Sequence, residues 1–134
     1  MKYSLGHICY LVRDKKAARE FYEEKLGLEF MFEQQFPGTE MSAIYMRVTK
    51  NQFIELIGNQ EHEHKPKGSF AHLCLHVEDI QAAYDALVEK GLQPTPVEMG
   101  FAKCLKFYVD DPDGNTVEMM QLLPESLQTI HDHN

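Results

Sequence analysis

Long apolar runs are missing from this chain, and so is any excess of basic charge. No stretch approaches the 18 or so apolar residues of a membrane-spanning helix. The amino-terminal MKYSLGHICYLVRD has neither the apolar segment nor the small-residue cleavage site of a secretory signal, so a cytoplasmic protein is expected. Lys and Arg number 13 against 21 Asp and Glu, for a net charge of −8. That balance argues against a nucleic-acid binder, which needs a basic patch to displace counterions. The three cysteines, Cys9, Cys74 and Cys104, are odd in number and have no CxxC spacing. They read as small hydrophobes in apolar runs rather than as a disulfide framework or zinc knuckle. There is no Ser/His/Asp or Cys/His constellation and no glycine-rich phosphate loop.

What the chain does have is a repeat. GHICYLVRDKKAAREFYEEKLGL near the start is echoed by AHLCLHVEDIQAAYDALVEKGL in the second half. His7 and His72, Cys9 and Cys74, Asp14 and Asp79, Ala18 and Ala83, and Lys25 and Lys90 are each 65 positions apart (7 to 72). Gly27 and Gly91 are 64 apart, and Glu55 and Glu118 are 63 apart (55 to 118). A repeat of this kind means one structural unit used twice. At 134 residues, 43% hydrophobic and 25% charged, the chain can form one ordinary domain or two small modules sharing a core.

The first module opens with an apolar strand over 4–12. Asp14 is placed as the N-cap of a helix running to about Lys25, with Gly27 ending it in the left-handed conformation. Ala18, Phe21 and Tyr22 have the spacing that packs one helix face on a sheet. Strand-like runs follow at 29–35, 41–49 and 52–57, separated by Phe36-Pro37-Gly38 and Lys50-Asn51. The second module repeats the plan: a strand over 71–77, then a helix capped by Asp79 with Ile80, Ala83, Tyr84 and Leu87 on one face. Gly91 ends that helix, and strands are expected at 93–98, 102–109 and 115–122 with Asp111-Pro112-Asp113-Gly114 as a tight turn. The expected organisation is a single domain over 1–125, with module 1 at 1–58, a polar linker at 59–70 and module 2 at 71–123. The tail at 124–134 reads as a short helix or a frayed end.

Alternation along strands puts Ile8, Tyr10 and Val12 against the helix, leaving His7, Cys9 and Leu11 opposite. By the same count Leu73, Leu75 and Val77 oppose His72, Cys74 and His76. Glu55 shares a face with Phe53 and Ile57, and Glu118 with Thr116 and Met120. A carboxylate among apolar neighbours must be paired, hydrogen-bonded or metal-bound. Any one of these residues has a plain structural explanation, but two His and two Glu at symmetric places point to metal ligands. Imidazole with carboxylate suits Zn²⁺, Ni²⁺, Co²⁺, Fe²⁺ or Mn²⁺ and leaves positions open for substrate. His62 and His64 in the linker, and His131 and His133 in the tail, read as solvated. His76 reads equally well as a substrate contact or a structural histidine.

These residues resemble the vicinal oxygen chelate superfamily of glyoxalase, bleomycin-resistance and dioxygenase proteins, and within it glyoxalase I-type lactoylglutathione lyases. The resemblance is carried by His7 opening the first strand, FYEEKLGLEF, FIEL with Glu55, AHLCLHVEDI with His72, and DPDGNTVEMMQ with Glu118. It spans about residues 4–123. It implies an α+β fold in which two tandem βαβββ modules form a curved mixed sheet around a metal-centred cleft. The implied ligands are His7, Glu55, His72 and Glu118. They would hold one divalent transition ion per site, Zn²⁺ or Ni²⁺ ahead of Co²⁺, Fe²⁺ or Mn²⁺. The implied activity is a lyase or isomerase that moves a proton through a metal-bound enediolate of a vicinal-oxygen substrate, such as a 2-oxoaldehyde thiol adduct. Glu118, with Glu55 beside it, is the implied proton carrier. The expected partners are a small-molecule substrate and a second copy in a homodimer, with no nucleic acid and no membrane.

Glutathione-using relatives place an arginine four residues after the first ligand, where this chain has Leu11. The nearest candidate cations are Lys103 and Lys106, which with His76, Leu11, Phe53 and Met120 make up the expected substrate-binding set. The alternatives are a methylmalonyl-CoA epimerase-like isomerase, whose relatives usually carry an amide in place of Glu55, and a non-catalytic antibiotic-binding protein. Extradiol dioxygenases, with two His and one carboxylate, are disfavoured by the fourth ligand.

Overall fold

The computed structural model describes residues 1–2, 4–59, 61 and 70–132. His62, His64, His133 and most of the expected linker lie outside them. The chain divides into two compact units, Met1–Lys65 and Pro66–Asn134.

Unit 1 is built from β1 (His7–Val12), a helix, β2 (Glu29–Gln35), β3 (Ser42–Thr49) and β4 (Gln52–Gly58). The sheet order is β1-β4-β3-β2, with β1 parallel to β4 and the other pairings antiparallel. Asp14 caps the helix as expected, its carboxylate accepting from the Ala17 amide at 3.1 Å. The helix is not uniform. A regular turn, α1 (Lys15–Arg19), passes into a wider π-helical stretch over Glu20–Lys25, closed by Leu26 N–H donating to the Phe21 carbonyl at 2.9 Å. The widening keeps Ala18, Phe21 and Tyr22 together against the sheet, where they are buried with Val12, Met46, Ile54 and Leu56. Each large side chain so buried contributes about 1.5–3 kcal/mol.

Unit 2 repeats the plan with β5 (Leu73–His76), α2 (Ile80–Glu89), β6 (Glu98–Met99), β7 (Leu105–Asp110) and β8 (Thr116–Gln121). Its order is β5-β8-β7-β6, and β5 runs parallel to β8. Asp79 accepts from the Ala82 amide at 3.0 Å. Gly91, at φ 85°, ends α2 while Leu92 N–H bonds back to the Leu87 carbonyl at 3.0 Å. Ile80, Leu87, Phe107, Val109, Val117 and Met119 are buried, and Tyr84 meets Phe107 edge-on at 5.5 Å.

The α+β fold of two βαβββ modules is therefore observed, with one four-stranded mixed sheet per module. The strand expected at 93–98 shrinks to Glu98–Met99. Pro94 and Pro96 supply no amide hydrogens, so only Thr95 between them bonds to the backbone of Tyr108, at 2.8 Å. The tail forms α3 (Leu127–His131). Fully buried Ser126 anchors it, its hydroxyl donating to the Lys103 carbonyl at 2.6 Å and accepting from Leu123 N–H at 2.9 Å. Among the described residues no helix is long and apolar enough to cross a membrane.

Candidate metal centre

In unit 1 the strand register decides which side chains share a face. Cys9 is paired with Glu55 across β1 and β4, and Glu55 with Tyr45 across β4 and β3. His7 stands one face-step before Cys9 and Leu11 one beyond, opposite Phe53 and Ile57 respectively. His7 Nε2 lies 3.8 Å from Glu55 Oε2, and the Cys9 thiol donates to Glu55 Oε1 at 3.5 Å. The Tyr45 hydroxyl also hydrogen-bonds Glu55, which pushes the phenol up to about 12, with burial adding to the effect. Its ring stacks on Phe32 at 4.5 Å and meets His7 and Phe53 edge-on, each at 6.4 Å.

Unit 2 reproduces the arrangement. Cys74 pairs with Glu118 across β5 and β8, and Glu118 with Tyr108 across β8 and β7. His72, just ahead of β5, places Nε2 3.5 Å from Glu118 Oε1. Burial, then the hydrogen bond to Glu118, pushes the Cys74 thiol up to about 12, and burial beside Glu55 pushes Cys9 up to about 11. The Asp111-Pro112-Asp113-Gly114 turn aims β8. Asp111 Oδ1 accepts from the Asp113 and Asn115 amides, both at 2.8 Å, and Gly114 supplies φ 80°. The motif is a self-satisfied turn that delivers Glu118 opposite Tyr108.

The four expected ligands thus form two pairs, His7 with Glu55 and His72 with Glu118, one in each unit. Among the described residues no group of three or more His, Cys, Asp or Glu side chains is arranged to hold an ion. Each pair brings an imidazole beside a largely buried carboxylate. The carboxylates are 12% and 6% exposed, so they need partners. Metal–nitrogen and metal–oxygen bonds of about 2.0–2.2 Å put neighbouring donors roughly 3–3.5 Å apart, and the observed separations of 3.8 and 3.5 Å lie at or just above that.

Of the expected substrate contacts, Lys106, His76 and Met120 share the face of Glu118: Lys106 and His76 both pair in register with Met120. Met120 is 8% exposed and accepts a 3.9 Å contact from Gln128 of α3. Leu11 is exposed on the His7 face, and Phe53 is half-buried beside Tyr45. Lys103 sits at φ 60° in the turn before β7, outside the strand register that aligns the others. Cys9 and Cys74 depart from the reading as small hydrophobes, because both thiols engage the glutamates; only Cys104 is buried. Tyr45 and Tyr108 escaped the sequence reading. The signal was present, since they are 63 apart (45 to 108), the same offset as Glu55 and Glu118.

Known proteins resemble this chain in sequence and in fold. A "Probable lactoylglutathione lyase" of Synechocystis is 29% identical over 125 residues, covering 87% of this chain and 94% of that protein. An "Ethylmalonyl-CoA/methylmalonyl-CoA epimerase" of Cereibacter sphaeroides is 33% identical over 94 residues, covering 65% of this chain and 70% of the epimerase. The crystal structure of a glyoxalase family protein from Enterococcus faecalis superposes with a TM-score of 0.78 at 24% identity, covering 87% of this chain and 96% of that one. The family model of the Glyoxalase/Bleomycin resistance protein/Dioxygenase superfamily matches residues 4–119, and the chain belongs to that superfamily.

Proposed function

We propose that this protein is a metal-dependent lyase or isomerase of the glyoxalase I type, acting on a vicinal-oxygen substrate such as a 2-oxoaldehyde thiol adduct. The observation that carries the reading is the matched imidazole–carboxylate pair in each module, with spacings of 3.8 and 3.5 Å on the face away from the helices. In this reading His7, Glu55, His72 and Glu118 are the ligands of a divalent ion, Zn²⁺ or Ni²⁺ first among the candidates. A bound ion would polarise two vicinal substrate oxygens and stabilise negative charge that develops on them.

The chain's own residues supply the rest. Glu118 removes the carbon-bound proton, the electron pair moves into the enediolate, and Glu118 returns the proton to the neighbouring carbon. The product is an isomer, so no redox partner is consumed. Cys9 and Tyr45 hold the Glu55 carboxylate by hydrogen bonds, and Cys74 holds that of Glu118. Phe32, Tyr45 and Phe53 offer an aromatic surface for the apolar part of a substrate. The reading includes a homodimer, taken from the resemblance alone.

A second reading, an acyl-CoA epimerase, is favoured by the 33% identical relative of that name. It requires the same proton transfer beside a carbonyl. The deciding experiment has two parts. Elemental analysis of untagged, dialysed protein should find one divalent transition ion per ligand set, with uptake lost in a His7→Ala, His72→Ala double variant. Equal uptake by the double variant would sink the metal site and leave a non-catalytic binding protein. Assays of the loaded protein with methylglyoxal hemithioacetals and with methylmalonyl-CoA then separate the two enzymes.

A further inference from the structure

The repeat breaks at one end of the module 2 face, and the break introduces charge. Counting back by the repeat offsets, Lys106, Met120 and His76 correspond to Ala43, Ile57 and Leu11 in module 1. The registers agree, because Ala43 and Leu11 both pair with Ile57 as Lys106 and His76 both pair with Met120. An apolar end in one copy is therefore replaced by an ammonium and an imidazole flanking a methionine in the other.

Lys106 is held in place rather than left to solvent. Its side chain is 21% exposed. Nζ donates to the Tyr108 hydroxyl at 2.9 Å and lies 5.1 Å from the Tyr108 ring centre. The hydrogen bond to Tyr108 raises the ammonium's pKa further, so the charge is retained. Its stem passes Gly100, where an added Cβ would stand 3.2 Å from Lys106 Cε, so a larger residue there would crowd the lysine. Glu98 stands 3.9 Å from Nζ and is 61% exposed, a solvated pair worth little, and the Glu118 carboxylate also acts on the ammonium. The ammonium keeps donor capacity, since Lys has three N–H bonds and Tyr108 uses one. Tyr108 in turn lies opposite Glu118, the proposed proton carrier.

We infer that Lys106, with Tyr108 and His76, forms a receiving site for an anionic oxygen of the substrate, a carboxylate or a phosphate-type group. The site selects substrates that carry negative charge close to the vicinal oxygens. This inference rests on the reading of the Glu118 face as the substrate face, but not on a metal being bound. It supplies a cation on module 2, whereas module 1 carries Leu11 on the matching face.

The test uses metal-free, isotope-labelled protein titrated with acetate and with methyl phosphate while backbone and imidazole resonances are followed. Saturable shifts should centre on Lys106, Tyr108 and His76, and the tighter of the two probes identifies the group received. Lys106→Met should weaken binding about tenfold or more, and Tyr108→Phe should weaken it less. Lys106→Arg, which keeps the charge, should restore most of the binding. Shifts centred elsewhere, no saturation with either probe, or equal binding by Lys106→Met would overturn the inference. Because no metal enters this measurement, its failure is separate from failure of the metal site, which shows as lost ion uptake.

Discussion

The two modules agree at the centre of their exposed faces and part at both ends. His7, Cys9, Tyr45 and Glu55 are matched by His72, Cys74, Tyr108 and Glu118, in the same registers and at similar His–Glu distances. At one end Leu11, Ala43 and Ile57 correspond by the repeat to His76, Lys106 and Met120; at the other, Arg47 and Phe53 correspond to Asp110 and Thr116. Even the shared tyrosines are used differently. Tyr45 hydrogen-bonds Glu55 and stacks on Phe32, whereas the Tyr108 hydroxyl accepts from Lys106. A duplicated module can keep its imidazole–carboxylate centre while its flanks diverge, one copy towards aromatic contact and the other towards charge.

The largest test of that asymmetry is on the glutamates. Two equivalent modules would lose equal turnover on Glu55→Gln and Glu118→Gln. In the metal-loaded protein, Glu118→Gln is expected to lower hemithioacetal turnover at least about a hundredfold, the usual contribution of a general acid–base group. Glu55→Gln is expected to lose less, because a glutamine oxygen can still accept from Tyr45 and Cys9. Equal losses would erase the distinction between the modules, and near-normal turnover in Glu118→Gln would move the proton to Glu55.

A smaller effect sharpens the comparison at its divergent end. Leu11→Arg places a cation on module 1 at the position matching His76. A charge-assisted contact is worth about 1.5–3 kcal/mol, or one to two decades in affinity. The wild type is expected to turn over glutathione adducts with a high KM, and Leu11→Arg to lower that KM about tenfold at similar kcat. Tight wild-type use of the adduct would show that a cation already present, with Lys106 the first to examine, fills the role.

Much of this was legible in the sequence because the repeat makes each half a check on the other. Helix caps at Asp14 and Asp79, the glycine stops and the alternation around Glu55 and Glu118 are local signals, and the fold follows them. The π-helical stretch at Glu20–Lys25 was not legible, since it depends on how Phe21 and Tyr22 reach the sheet. The strand expected at 93–98 is reduced to Glu98–Met99 because Pro94 and Pro96 supply no amide hydrogens. In the site, chain distance hid the tyrosines. Tyr45 and Tyr108 lie in β3 and β7, and only strand pairing shows that they stand across from Glu55 and Glu118. The thiols misled for a related reason: a cysteine in an apolar strand reads as core until the register puts a carboxylate beside it.

The finest distinction between the modules is in those thiols, and it can be measured without turnover. Burial first, and then the neighbouring glutamate, raises Cys9 to about 11 and Cys74 to about 12, against about 8.5 for an unstructured thiol. Only thiolate reacts with iodoacetamide, so in chelator-treated protein both should alkylate far more slowly at pH 8.5 than a peptide thiol. Cys9 should reach its half-maximal rate at the lower pH. The sign for stability follows from linkage. The fold favours the protonated thiol, so its contribution is complete below the unfolded value and is lost as pH rises, towards about 11 for Cys9 and about 12 for Cys74. Chemical unfolding midpoints measured across that alkaline range should therefore fall less steeply in Cys74→Ala than in Cys9→Ala, because the larger shift has been removed. Alkylation of either thiol at the peptide rate would mean that its burial beside the glutamate does not hold in solution.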